Sequence, residues 1–131
     1  MATQLHVEIV TPLSSAFSGK ALQVILPAWE GQEGVLPDHD DKLTLLRGGV
    51  CTVITPEGER KFAIGRGFAE MGGDHVTLLT DSCEDASKID KADAQAGYAD
   101  IEAKLARADW VSEEANGLRA ALEVAQARLD A

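Results

Sequence analysis

Apolar side chains recur at every second position in four short runs: Leu5, Val7 and Ile9; Leu22, Val24 and Leu26; Val50, Thr52 and Ile54; and Val76, Leu78 and Thr80. Such alternation places each set on one face of a β-strand. The opposite faces are not uniformly polar, since Ile25, Cys51, Val53, Thr77 and Leu79 lie there. Strands with apolar groups on both faces suit a sandwich or barrel better than a one-sided sheet. Thr55-Pro56-Glu57-Gly58 predicts a tight turn, because proline presets φ at its second position. Gly72-Gly73-Asp74 predicts a hairpin tip, and the two turns frame a meander over residues 49–81.

After residue 87 the period changes. Ala94, Tyr98, Ile101, Leu105 and Ala108 recur at steps of four and three, as do Val111, Ala115, Leu118, Leu122, Ala125 and Leu129. These stripes predict two amphipathic helices joined through residues 107–110, so short a link that they run antiparallel. Ser87-Lys88-Ile89-Asp90 has the spacing of a capping box at the first helix start. The candidate seam is Tyr98, Ile101, Leu105, Leu118, Leu122 and Leu129, interspersed with alanine. Alanine buries little area, so the seam predicts weak attachment of a hairpin that can come apart.

Composition sharpens this division. Ten of the twelve glycines and all four prolines precede residue 88, and the remainder is alanine-rich. The contrast predicts a β domain over residues 1–87 and a helical hairpin over residues 88–131. Across 131 residues, Lys and Arg number 12 against 22 Asp and Glu, a formal charge of −10. That charge repels phosphate backbones, which excludes nucleic acid and anionic lipid as expected partners. No apolar run is long enough to span a membrane, so no direct membrane insertion is expected. Residues 1–10 lack a basic segment ahead of their apolar positions, which predicts no secretory leader. Cys51 and Cys83 have no metal-ligand spacing and are expected as reduced, buried thiols.

Catalytic chemistry is hard to find. His6, His39 and His75 share no spacing that one element could bring onto a metal. Asp38, Asp40 and Asp41 alternate like part of a calcium loop but lack its glycine and distal glutamate. Gly65-Arg66-Gly67 has no third glycine and no following helix, and neither a phosphate-binding loop nor a nucleophile elbow occurs. These readings predict no catalytic residues, no cofactor and no metal. Two rival readings are a ligand-binding sandwich with the hairpin as lid, and an enzyme using His39 with Asp38 or Asp40.

Several segments, in order, resemble one family: Leu5-His6-Val7-Glu8-Ile9-Val10-Thr11-Pro12, Phe17-Ser18-Gly19, Glu30-Gly31-Gln32-Glu33-Gly34-Val35-Leu36-Pro37-Asp38-His39, Arg47-Gly48-Gly49-Val50, Gly67-Phe68-Ala69-Glu70 and Val76-Thr77-Leu78-Leu79-Thr80-Asp81. The third is similar to the signature "EGxxGVLPGH" of the ε subunits of bacterial F-type ATP synthases, equivalent to the mitochondrial δ subunit. The resemblance spans residues 3–131, most strongly to about residue 82. It implies an all-β sandwich of about ten short strands followed by an antiparallel α-helical hairpin. It further implies a non-catalytic rotor subunit that joins the γ subunit to the membrane c-ring, peripheral to the cytoplasmic face of the bacterial inner membrane. In such subunits the hairpin can rise towards the catalytic β subunits and block ATP hydrolysis.

The ring-facing segment implied for this chain is an acidic loop over residues 30–42, with Glu30, Gln32, Glu33, Asp38, His39, Asp40 and Asp41 as its candidates. Where relatives often read "GHAPLL", Asp38-His39-Asp40-Asp41-Lys42-Leu43 is more acidic, and Arg66 replaces a common glycine. Some relatives bind ATP through a motif like "IDxxRA"; here Asp93 stands at the arginine position. An anion there predicts no specific ATP binding.

Overall fold

The computed structural model describes residues 4–131; residues 1–3, at the start of the first expected segment, lie outside it. Ten strands come first: β1 (Leu5–Val10), β2 (Ser15–Ala21), β3 (Gln23–Ala28), β4 (Gly31–Val35), β5 (His39–Leu46), β6 (Gly49–Thr55), β7 (Gly58–Ile64), β8 (Gly67–Gly73), β9 (His75–Thr80) and β10 (Cys83–Asp85). A 3-10 turn over Ala86–Lys88 leads to α1 (Lys91–Arg107) and α2 (Glu113–Asp130). The strands hydrogen-bond in the order β10-β7-β6-β3-β5-β8-β9-β1-β2, with β4 on β3. All ladders are antiparallel except β1 with β9.

This continuous sheet folds over on itself. Phe17 of β2 and Phe62 of β7, near opposite ends of the strand order, meet with ring centroids 5.3 Å apart and their planes tilted by 52°. Between the two layers lies a closed cluster that includes Leu5, Val7, Ile9, Leu26, Leu46, Phe62, Ile64, Met71 and Leu78. The alternating runs of β1 and β9 supply it as their pattern requires. In β6 the face turned inward is that of Cys51 and Val53, and Val50, Thr52 and Ile54 are half-buried on the other. Leu22 falls just before β3 and is exposed.

Both expected turns form. Pro56-Glu57 joins β6 to β7, with Gly58 at φ +131°, and Gly73-Asp74 joins β8 to β9, with Gly73 at φ +57°. The capping box does not form. Asp90 caps α1, accepting from the Ala92 and Asp93 amides, whereas Ser87 donates to Asp85, the cap of the 3-10 turn. A carboxylate two or three residues ahead of free helix amides satisfies them better than a serine further back. The helix link spans residues 108–112, not 107–110, and Val111 is 83% exposed within it rather than part of the seam. Ser112 caps α2 through the Ala115 amide.

The helices form an antiparallel pair in which α2 is the inner member. It packs on β6 and β7 as well as on α1. The fully buried helical residues are all alanines: Ala94, Ala115, Ala125 and Ala127. Ala63 of β7 is likewise buried outside the main cluster, on the outer face where α2 lies. The expected seam residues Tyr98, Ile101, Leu105, Leu118, Leu122 and Leu129 are half-buried.

Candidate functional site

Three surfaces carry unusual chemistry, and the strands decide where each one lies. The first is an open cleft of about 720 Å³ between β4 and β5, lined by Trp29, Glu33, His39, Lys42 and Leu45 among others. The segment expected as an acidic loop is mostly strand: Glu30 sits at the β3–β4 turn, Gln32 and Glu33 on β4, and His39, Asp40 and Asp41 on β5. The alternation there is too polar to announce a strand, but β3 supplies a full pairing edge for residues 31–35.

Of the seven candidates, Glu33 and His39 are brought together. Lys42 Nζ donates to both oxygens of Glu33 at 3.0 Å, and His39 Nε2 lies 3.9 Å from the same carboxylate. His39 Nδ1 is 2.7 Å from the Asp40 carbonyl oxygen. Glu30, Gln32, Asp38, Asp40 and Asp41 stay exposed, with no shared focus. Asp38 has φ +63°, left-handed backbone that a non-glycine residue seldom adopts. The glycine of the resembled signature falls at this position, and aspartate is among the few side chains that tolerate the same conformation.

The second surface is apolar. Register aligns Leu45 with Phe68, Phe68 with Leu79 and Leu79 with Val10, a row across β5, β8, β9 and β1 on the outer face. Leu45 is 63% exposed, Phe68 39% and Leu79 38%. The next row outward aligns Leu43, Glu70, Thr77 and Glu8. Val10, Pro12, Phe68 and Leu79 line a depression of about 550 Å³ there, and Leu13 beyond Pro12 is nearly fully exposed. Sequence pattern missed this row because each strand contributes only one of its members.

The third surface is the seat of α2. Glu123 lies in the fork of Arg66, whose Nε donates to one carboxylate oxygen at 3.1 Å and whose NH2 donates to the other at 2.7 Å. The Gly48 amide donates to the first oxygen at 2.8 Å, and an Arg47 guanidinium nitrogen lies 3.9 Å from the second. Burial alone would raise the Glu123 pKa, but the Arg66 and Gly48 hydrogen bonds and the two positive charges outweigh it and hold the carboxyl below its ordinary value. Further along α2, Arg128 reaches Glu84 of β10 at 2.8 Å and Asp93 of α1 at 3.2 Å. Asp93, the anion at the position of the nucleotide-motif arginine, is thus an ion-pair partner within the hairpin.

Burial pushes the Cys51 thiol to about 12, helped by Cys83, and the Cys83 thiol to about 11, helped by Asp85. Both are free; Cys51 is buried as expected, but Cys83 is only half-buried because the short β10 lies at the sheet edge. Among the described residues no group of three His, Cys, Asp or Glu side chains is placed to hold a metal ion. No helix among them is long and apolar enough to cross a membrane.

Comparison with known proteins agrees with this architecture. The family model described as the β-sandwich domain of the ATP synthase delta/epsilon chain matches residues 4–86. The ATP synthase epsilon chain of a Cyanothece species is 34% identical over 124 residues, covering 95% of this chain and 90% of the relative. That of a Synechococcus species is 34% identical over 129 residues, covering 97% and 95%. A chain in the Euglena gracilis mitochondrial ATP synthase structure, described as OSCP/F1/c-ring, has the same fold with a TM-score of 0.83 at 20% identity, covering 99% of this chain and 81% of that one. A chain from the Tetrahymena thermophila central stalk and c-ring aligns at a TM-score of 0.59 and 11% identity, covering 95% and 96%. A family match over the whole sandwich, with full-length relatives above 30% identity, places the molecule: the chain belongs to the ATP synthase delta/epsilon chain family, whose epsilon chains are subunits of the synthase other than its catalytic one.

Proposed function

We propose that this chain is a central-stalk rotor subunit of an F-type proton-translocating ATP synthase, joining the γ subunit to the c-ring so that proton flow drives ATP synthesis. The observation that carries this reading is the exposed row Leu45, Phe68, Leu79 and Val10. An apolar strip of this kind, with Glu70 and Glu8 beside it, suits a permanent protein partner presenting an apolar ridge with basic neighbours. We assign it to γ. The acidic rim of residues 30–42 is then left for the polar loops of the ring, and the complex sits peripherally at the cytoplasmic face of the bacterial inner membrane. Residues 1–87 form the rotor-binding unit and residues 88–131 a regulatory hairpin that reaches the catalytic β subunits when extended. The main core cluster supports this division, since its members all lie within residues 5–78.

Co-expression with γ tests the central assignment. Phe68→Asp with Leu79→Asp should abolish co-purification while leaving the fold intact by circular dichroism; unchanged recovery of γ would refute the surface. Truncation after Ser87 should leave a soluble, γ-binding sandwich. An insoluble fragment would mean that α2 completes the fold. Reversing the charges of Asp38, Asp40 and Asp41 together should loosen proton coupling in a salt-dependent way, whereas Asp40→Ala should do almost nothing, because exposed pairs contribute only about 0.2–1 kcal/mol each.

A further inference from the structure

Two ion pairs tie α2 to the sandwich, Arg128 with Glu84 and Glu123 with Arg66, and the second has the more buried carboxylate. Glu123 receives the planar fork of Arg66, the Gly48 amide and the charge of Arg47, and its side chain is only 14% exposed. The two arginines are themselves aimed by a third group. The Arg66 guanidinium carbon lies 5.1 Å, and that of Arg47 5.5 Å, from the centroid of the Trp29 ring. A guanidinium stacked on an indole keeps its donors free in the ring plane and loses less freedom when it takes a carboxylate. Gly48 is equally specific. A Cβ at this position would stand 2.6 Å from the Glu123 Cβ and 3.2 Å from its backbone carbon, so only glycine lets α2 approach this near.

We infer that the hairpin is held on the sandwich by a carboxylate clamp in which Glu123 is the ligand, Arg66 and the Gly48 amide are the jaws, and Trp29 positions the arginines. The clamp is a built site for one carboxylate, supplied in cis by α2. Around it the buried helical residues are alanines, which set distance but add little attraction, so docking rests on the ion pairs, and the clamp, with its more buried carboxylate, outweighs the more exposed Arg128–Glu84 pair. Trp29 also lines the cleft between β4 and β5. A partner that displaces the indole there therefore disturbs the clamp directly, which couples the ring-facing rim to the hairpin. This inference rests on the reading of residues 88–131 as a separable unit.

Backbone amide hydrogen exchange on the full chain separates the two ideas. A helix draws most of its stability from tertiary packing, so α2 amides lose protection when it leaves its seat. Glu123→Gln removes the charge and Gly48→Ala removes the space, at a backbone position outside the left-handed region. Each should speed exchange of α2 amides at least tenfold while the amides of β1, β8 and β9 stay as slow as in the parent. The double variant should add little to the stronger single one, because both act on one contact. Trp29→Leu should give a smaller acceleration, about threefold, and none on top of Glu123→Gln. Unchanged α2 exchange in both Glu123→Gln and Gly48→Ala overturns the clamp and leaves the separable hairpin standing. Equal acceleration of α2 and of the strands overturns both, since the helix would then open only with the whole fold.

Discussion

The interior of the sandwich and the layer beneath α2 are both buried, yet they are made differently. The interior is mostly Leu, Ile, Val, Met and Phe, closed off from solvent between the two layers of the folded sheet. The layer beneath α2 is alanine, with charged residues at its margin: Glu123 on Arg66 and Arg47, and Arg128 on Glu84 and Asp93. A large apolar side chain contributes about 1.5–3 kcal/mol when buried, without regard to direction. An alanine contributes much less, and a bidentate carboxylate pair contributes direction. The first region is therefore held by buried apolar area, and the second by ion pairs that fix one orientation. The alanines alone predict weak attachment; the ion pairs change what does the attaching.

The comparison is most easily broken in the interior. Phe62→Ala removes a ring that packs against Phe17 and should cost about 3–5 kcal/mol of global stability, measured by urea unfolding. A change below 1 kcal/mol would mean that the two layers are not the cooperative unit. Gly67→Ala belongs to the same class, because its Cβ would strike the Leu79 carbonyl in the neighbouring strand.

At the hairpin the effect should be smaller and dependent on pH. Glu123 titrates below its ordinary value while docked. Docking therefore keeps its full contribution above the ordinary glutamate pKa of about 4.3 and loses it as pH falls through the lower, docked value. After correction for the intrinsic pH dependence of exchange, the protection of α2 amides should fall over that acid interval before the strands unfold, and Glu123→Gln should remove this part of the pH dependence. For the substitution we expect about 1–3 kcal/mol, because the guanidinium of Arg66 is left without its partner. Asp85 shifts the same way, through the Ser87 amide first and Arg60 second, so the 3-10 turn between the two regions should also loosen in acid.

Smaller still is the backbone effect at the cleft. Asp38→Val puts a branched side chain at φ +63° and should cost roughly 1–2 kcal/mol, while Asp38→Gly should stay within about 0.5 kcal/mol of the parent. Equal stabilities would show that the turn relaxes to ordinary φ in solution. The smallest expected signal is with nucleotide. Asp93 and Glu84 share Arg128, so calorimetric titration of the isolated chain with ATP should show no binding below millimolar. Micromolar binding would show that the hairpin rearranges around a triphosphate.

Much of this architecture is legible in the sequence. Periods of two over Leu5–Val10 and His75–Thr80, and of 3.6 after residue 90, are properties of neighbouring residues, and so are the Pro56-Glu57 and Gly73-Asp74 turns. Local steric and solvent preferences act over a few residues, and a sequence displays them directly. The polar strand starting at His39 escaped, because its pairing with β8 rather than its own pattern makes it a strand. The ring-facing candidates were found only as a group, and their one focus, Glu33 with Lys42 and His39, depended on where β4 and β5 open. The apolar row and the clamp lay wholly outside sequence reasoning. Arg66 stood out as a departure from a glycine, but its partner is 57 positions away, and Gly48 meets the same residue across 75. Which of the nine Asp and Glu after residue 87 meets which arginine is not encoded in spacing. It is chosen when the sheet folds over and α2 settles on β6 and β7, because a carboxylate's energy depends on the few ångströms around it, and only the tertiary structure sets those.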